Sequence, residues 1–423
     1  MSALITETLD WIEPERAFAP YRIQPGAVLL HGGASSLSRL YALPIDELVY
    51  GAGDDLPAFL ARCRAALAEG YQLAGLFTYE FGSALESRIC GPRRGTPLIE
   101  LGVYPAWAVF DPIKQQLDVT GSQEGIERLK TGLHIGNPPA KPACGSVSPR
   151  WTREEYVEAC TRLTDHIRAG DIYQANLSQA FRGRLDGDPW SVFLRLIRQS
   201  DAPHAAWFRF RDFHIDITNS PERFLRLEHG LAESRPIKGT RPRRADALED
   251  AAEAEALSGS VKDRAENLMI VDLVRHDLSR VCKPGSVKVP RLNEVQSYAN
   301  VHHLVSAVTG ELKDGMDALD LICAAFPPGS ITGAPKIRAM ELIAEAEQED
   351  RRAYCGALGW IGEGGQAMDL NVMIRTLSLS RTDTDWLVTA RSGGAITIES
   401  EPEAEYEETL HKLSALKAAL SGP

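Results

Sequence analysis

Four acidic side chains fall into two pairs three residues apart, Asp263 with Glu266 and Glu405 with Glu408. Each pair lies in a stretch of helical periodicity, so both members of a pair share one helix face. If the two helices converge, four carboxylates form an oxygen-only donor set suited to Mg²⁺, which prefers hard ligands and keeps several waters. Two solvated acidic helix faces have the same spacing. Lys238 is a second candidate. It sits in Arg235-Pro-Ile-Lys-Gly-Thr-Arg-Pro-Arg243, an extended element between prolines in which Gly239 permits close backbone approach. Neighbouring guanidinium groups disfavour an ammonium that is partly buried, one route to a nucleophilic amine, while a solvated lysine in a basic segment is the plain alternative.

The segment Phe326-Pro-Pro-Gly-Ser-Ile-Thr-Gly-Ala-Pro-Lys336 is rich in glycine and hydroxyls and opens a helix, so its amides could hold an anion or simply turn the chain. It lacks the G-x-x-x-x-G-K-[ST] spacing, which disfavours a nucleotide; a carboxylate fits as well as a phosphate. In the apolar run VHHLVSAV, His302 or His303 reads as a satisfied core histidine rather than a base.

The elements that carry these groups follow from periodicity. Thr152 and Glu155 form a T-x-x-E capping box before Tyr156, Val157, Cys160, Leu163 and Ile167 at helical spacing, with Gly170 as the stop. Phe208-x-Phe210 and Phe213-x-Ile215-x-Ile217 alternate as a hairpin does. Residues 242–266 read as a solvated helix face leading into the apolar LMIVDLV. Cys355–Ile361, Met368–Ser380 and Trp386–Thr389 read as a β-meander, with Asp369, Asn371, Met373 and Arg375 on one strand face. A closing helix carries Tyr406, Leu410, Leu413, Leu416 and Leu420 on one stripe. The clearest break is at 131–150, TGLHIGNPPAKPACGSVSPR, which divides the chain into an N-terminal mixed α and β segment at 1–130, a linker, and a second unit at 151–420.

The 423 residues include 58 acidic and 46 basic side chains, a formal charge of −12, which is the wrong sign for a nucleic-acid partner. Hydrophobic residues at 44% and charged residues at 25% fit a globular chain with a large core. The acidic N-terminus and the lack of a long apolar run predict a cytoplasmic protein with no membrane partner. Seven scattered cysteines without a C-x-x-C pair read as reduced thiols.

From about residue 151 to 412 the chain resembles the chorismate-utilising enzymes, through GDIYQANLSQAF (170–181), SPERF (220–224), RPIKGTRPR (235–243), KDRAENLMIVDLVRHDL (262–278), VHHLVSAVTGEL (301–312), FPPGSITGAPKIRAMELIAEAE (326–347), CGALGW (355–360), MDLNVMIRTL (368–377) and EAEYEETLHK (403–412), in collinear order. The resemblance implies an α+β fold, two antiparallel sheets packed as a sandwich with helices outside. It also sorts the reaction. Gln174 stands where water-using members carry a lysine, which disfavours hydration. Lys238 stands where anthranilate-forming members carry alanine, which implies amination at C4 through a covalent lysine. A turnover-free chorismate-binding subunit is the reading from another class, opposed by the presence of Glu222 and the metal carboxylates.

By the same resemblance Lys238 attacks C2 of chorismate, Glu222 protonates the departing C4 hydroxyl, and ammonia then enters at C4 and expels the lysine, giving 4-amino-4-deoxychorismate. His303 is a further catalytic candidate. Mg²⁺ is expected on Glu266 and Glu408 with Asp263 and Glu405 beside them, and the substrate on Thr240, Ser330, Tyr354, Arg375, Lys412 and a carboxylate-binding turn at Gly393, Gly394 and Ala395. Ala395 replaces a usual glycine, Asp263 a frequent glutamate, and His276 a common asparagine. No cysteine lies in a glutaminase-type nucleophile turn, so nitrogen is expected as free ammonia or from a separate glutamine amidotransferase subunit, a component II.

Overall fold

Strand Gln174–Asp186 pairs along nearly its whole length with Trp386–Ile396, and its other edge takes Cys144–Pro149 and the short Gly333–Ala334. In the computed structural model, which describes residues 4–422 except 90, 93, 134–139, 212, 299 and 300, these strands end a twelve-stranded antiparallel sheet. It continues through Thr376–Arg381 and the hairpin His204–Arg211 with His214–Ser220 to Ala27–His31 and on to Ile5–Leu9. A second sheet of ten strands runs from Ile237–Pro242 through Val301–Glu311 and Arg223–Glu228 to Ala357–Gly362, Gln72–Phe77 and Asp46–Gly51. Its pairings are antiparallel as well.

Apolar side chains of both sheets meet in one layer that includes Val28, Tyr41 and Phe208 from the first and Ala74, Leu76 and Leu358 from the second. Helices cover the outer faces. Leu56–Ala68, Val261–Ser279 and Ala318–Ala325 lie on the second sheet, and Pro189–Gln199 and Pro402–Ser421 on the first. The fold is therefore the expected α+β sandwich.

Several details depart from the sequence reading. Within the 131–150 stretch, residues 134–139 lie outside the described residues, but Gln123–Leu133 is helical and Cys144–Pro149 is a strand, since backbone groups beside Phe181–Asp186 give it a ladder whatever its composition. Strands before and after that stretch share both sheets, so the compositional break is no gap between two cores. The supposed meander is divided: Ala357–Gly362 and Ala367–Asn371 belong to the second sheet, Thr376–Arg381 and Trp386–Ile396 to the first. The chain changes sheet across residues 372–375, as it does between Pro97–Tyr104 and Ala106–Asp111. The 242–266 stretch splits at Ser260, which caps Val261–Ser279 through the Asp263 amide.

Candidate active site

Lys238 lies on strand Ile237–Pro242, and its residue is only 9% exposed. Its ammonium donates to the Ser330 carbonyl at 3.0 Å. Burial lowers its pKa, with Glu266 and Glu222 opposing and Lys412 assisting. The direction agrees with the sequence reading and the cause differs: desolvation dominates, because the neighbouring arginines have other partners, such as Asp250 for Arg243 and Glu233 for Arg235.

Glu222, 4% exposed, precedes strand Arg223–Glu228. Burial raises its carboxyl to about 7, against the Ser330 hydroxyl and the Lys238 charge. Its Oε1 accepts the Ile237 amide at 3.4 Å. Ser330 thus touches both residues, the carbonyl toward the amine and the hydroxyl toward the acid. The cis Phe326-Pro327 and Ala334-Pro335 bonds flank the 3-10 turn Gly329–Ile331 that presents it. The helix this segment opens begins at Lys336, whose ammonium is held by Asp277 at 2.7 Å and by the Ala325 carbonyl at 2.6 Å.

The two histidines separate. His302 has both ring nitrogens engaged, with Ser297 at 2.8 Å and Asp250 at 3.0 Å, as a structural residue should. His303 engages Thr240 through Nδ1 at 2.9 Å and leaves buried Nε2 without a hydrogen-bond partner among the described residues. Burial holds its pKa down at about 4, aided by the Arg375 charge, so the ring is neutral at neutral pH.

Arg375 does not continue a strand. Strand Ala367–Asn371 has ended, and Arg375 occupies the sheet-changing corner with φ of +52°. The alternation across Met368–Ser380 fails there, and Met373 is fully buried in the inter-sheet layer. Desolvation lowers the guanidinium's pKa, and no carboxylate among the described residues is paired with it. A half-buried arginine with no carboxylate paired to it among the described residues is a strong place for an anion.

Gly393, Gly394 and Ala395 are likewise in a strand rather than a turn, opposite Ser178, Leu177 and Asn176. Thr376–Arg381 pairs with this strand only as far as Ala390, so that among the described residues no strand pairs with its edge beyond. Lys412 donates to the Gly393 carbonyl at 3.1 Å and pairs with Glu408 at 2.5 Å.

The carboxylate helices converge. Burial raises Glu266, with Asp263 and Glu408 adding repulsion; burial also raises Glu405, which accepts the Ser400 hydroxyl at 2.7 Å. Glu408 is also desolvated, yet Lys412 holds it below the usual range. A methyl at Gly394 would meet Glu405 Oε2 at 2.9 Å, and one at Gly239, whose φ is +78°, would meet Asp263 Cγ at 2.9 Å. Both glycines keep space beside the acids. Among the described residues no three His, Cys, Asp or Glu side chains form a ready cage. Mutually repelling carboxylates with room between them suit a cation that takes one or two of them and completes its shell with water.

Tyr354 is buried in the core under the second sheet, and its backbone amide donates to the Arg351 carbonyl. Gln174 is fully buried with both amide atoms unpartnered. Lys262, whose charge acts on Glu266, Glu405 and Glu408, and the Asp277 pair with Lys336 were missed in the sequence. The adjacency of Lys262 to Asp263 was the available signal for the first; the second pair is 59 residues apart and had none. A separate cavity of about 510 Å³ lined by His31, Arg39, His204 and Trp360 includes none of the proposed site residues.

Residues 32–418 match the family model described as chorismate binding enzyme. The chain belongs to the chorismate binding enzymes. It is 46% identical to aminodeoxychorismate synthase component 1 of Escherichia coli (strain K12) over 81% of this chain and 75% of that one. It is 41% identical to the protein of the same name from Klebsiella aerogenes over 97% of each. Among solved structures, anthranilate synthase component I from Streptococcus pneumoniae TIGR4 superposes with a TM-score of 0.79 at 29% identity, covering 90% of this chain and 92% of that chain. Among the described residues of this chorismate binding enzyme, no helix is long and apolar enough to cross a membrane.

Proposed function

We propose that this chain is an aminodeoxychorismate synthase component I, converting chorismate and ammonia to 4-amino-4-deoxychorismate for the p-aminobenzoate branch of folate synthesis in the cytoplasm. The observation that carries the reading is the buried Lys238 amine beside a carboxyl that titrates at about 7. A nucleophile must be neutral and a general acid protonated at the same pH, and burial moves each group in the required direction.

In the first step the Lys238 nitrogen bonds to C2, both ring double bonds shift (C1=C2 to C1=C6 and C5=C6 to C4=C5), and the C4–O bond breaks as Glu222 transfers its proton to the hydroxyl, which leaves as water. The amine gives up one proton as it forms the secondary amine, and the carboxylate left on Glu222, whose charge acts on Lys238, takes it. In the second step ammonia bonds to C4, both ring double bonds shift back, and the C2–N bond breaks to release Lys238, which takes the proton that the incoming ammonia gives up. His303 and Thr240 orient the ring substituents, and Arg375, Lys412 and the free edge at Gly393, Gly394 and Ala395 take the enolpyruvyl carboxylate. Ser330 and Tyr354 complete the substrate pocket. Mg²⁺ on Glu266 and Glu408, with Asp263 and Glu405 in direct or water-mediated support, would neutralise the ring carboxylate. The proposed residues span 222–412, which assigns catalysis to the 151–420 unit, with 1–130 completing the sheets. Ammonia comes from a glutamine amidotransferase subunit.

The test is product identity. Purified chain with chorismate, Mg²⁺ and ammonium should yield the C4 amine by mass and NMR. Anthranilate, the product class suggested by the pneumococcal neighbour's name, or no turnover, would overturn the proposal.

A further inference from the structure

Arg351 lies just past the end of helix Lys336–Glu347 and is 3% exposed. Its guanidinium reaches three segments at once. Nε and Nη2 donate to the Glu347 carboxylate at 3.0 and 2.7 Å, Nη1 donates to the Ile331 carbonyl at 3.1 Å, and Nη2 also donates to the Asn176 carbonyl. Ile331 closes the turn that presents Ser330, and the Asn176 amide donates to the Thr332 carbonyl at 2.7 Å. Turn and strand Gln174–Asp186 are therefore joined both directly and through the guanidinium. The Glu347 carboxylate is shared with Arg391 at 2.7 Å. Glu80 brings in the N-terminal part of the chain by accepting the Arg351 amide at 2.6 Å. A buried ion pair gains little stability over apolar groups of the same volume, so stability alone does not account for a buried arginine whose remaining donors end on the backbone beside Ser330.

We propose that Arg351 is a positioning residue for the amination: by holding the Ile331 and Asn176 carbonyls on one rigid fork, it fixes the turn in which Ser330 meets Lys238 through its carbonyl and Glu222 through its hydroxyl. The inference deepens the proposed function and rests on Lys238 as nucleophile and Glu222 as acid. Arg351 acts only through Ser330, whose carbonyl accepts the Lys238 ammonium at 3.0 Å and whose hydroxyl bonds to Glu222. A guanidinium presents its donors in a fixed plane, so its shape sets the spacing of the two carbonyls as much as its charge does. A lysine ammonium carries the same charge without the plane. Nucleophile and acid must both be aligned on the ring, and a misplacement of about 1 Å caused from outside the reacting groups costs on the order of 10²-fold in rate.

The experiment is steady-state kinetics of the full chain with chorismate, Mg²⁺ and ammonium, with folding checked by circular dichroism. Arg351→Lys should lower kcat on the order of 10²-fold and leave KM for chorismate nearly unchanged. Arg391→Lys disturbs the same Glu347 carboxylate, but the hydrogen bonds of Arg391 go to Ser178, Glu347 and Glu349 rather than to the turn. It should lower stability in denaturant and keep kcat near the wild-type value; equal kcat losses in the two lysine variants would overturn the inference. Ser330→Ala completes a double-mutant cycle. In Arg351→Lys the hydroxyl has already left Glu222, so the two losses should not add, and additive losses would also overturn it. Because Arg351→Lys could impair folding, Thr332→Val is measured alongside. It leaves the arginines in place and loosens the turn from within, removing the hydroxyl that donates to the Pro328 and Gly329 carbonyls at 3.2 Å. It should lower kcat with KM kept, and wild-type kcat in a folded Thr332→Val would contradict the role given to the turn. A wild type that does not aminate chorismate would overturn the reading of the reaction instead.

Discussion

Lys238 and Glu222 have opposite charge requirements and one shared cause, removal from water. Glu222→Gln keeps the volume and loses the proton, so kcat should fall about 10²- to 10⁴-fold with a small change in KM, measured with ammonium as the nitrogen source. The kcat profile should be bell-shaped. Glu222 acts protonated, so the rate falls as the pH rises through about 7; Lys238 acts neutral, so the rate rises from the acid side, and its lowered pKa brings that limb toward neutrality. A profile flat from pH 6 to pH 9 would contradict both assignments. At this scale residue types were legible in the sequence and environments were not. The basic segment around Lys238 suggested a depressed pKa for the wrong reason, because Arg235 and Arg243 are paired with Glu233 and Asp250 while burial acts on the amine. His302 and His303 looked alike until their neighbours came from Asp250, Ser297 and Thr240.

The elements converge because the chain changes sheet at 372–375, which sets Arg375 between the two layers, and because Pro402–Ser421 lies against Trp386–Ile396. Alternation read Met368–Ser380 as one strand, since an apolar run does not reveal which sheet its second half joins. Helices were easier: the Thr152 capping box is present in full, with the Glu155 carboxylate on the Thr152 amide at 2.7 Å. Thr152→Ala should cost about 1 kcal/mol in chemical denaturation. At Gly394 an added Cβ would lie 2.9 Å from Glu405 Oε2 on the acidic helix. Gly394→Ala should weaken Mg²⁺ binding by calorimetry while leaving the fold intact by circular dichroism, because its methyl would crowd Glu405. Unchanged Mg²⁺ affinity would remove that pair from the metal site.

For the molecule as a whole, a charge of −12 opposes a dianionic substrate, so capture must depend on local cations: Lys238, Lys412, Arg375 and the metal. Excess chelator should therefore weaken chorismate binding strongly; undiminished binding would refute the metal's role. The two halves of the chain are also joined by buried polar contacts. Glu80, near the strand Gln72–Phe77, accepts the amides of Arg351 at 2.6 Å and Arg352 at 3.0 Å, and burial raises its carboxyl to about 7. The folded state holds that proton more tightly than the unfolded chain, so the stabilisation is complete below the ordinary value of 4.5 and is lost as the pH rises through about 7. Glu80→Gln should flatten that part of the stability profile in denaturant titrations. Such long-range pairings had no trace in composition, whereas the sandwich itself was legible through the collinear motifs. The central claim is that Lys238 is a covalent nucleophile. Its most direct test is rapid-quench intact-mass measurement of the chain mixed with chorismate and Mg²⁺ without ammonium: the account predicts an adduct of chorismate less one water on the Lys238 peptide, and product formation with ammonium but no adduct at any time would contradict it.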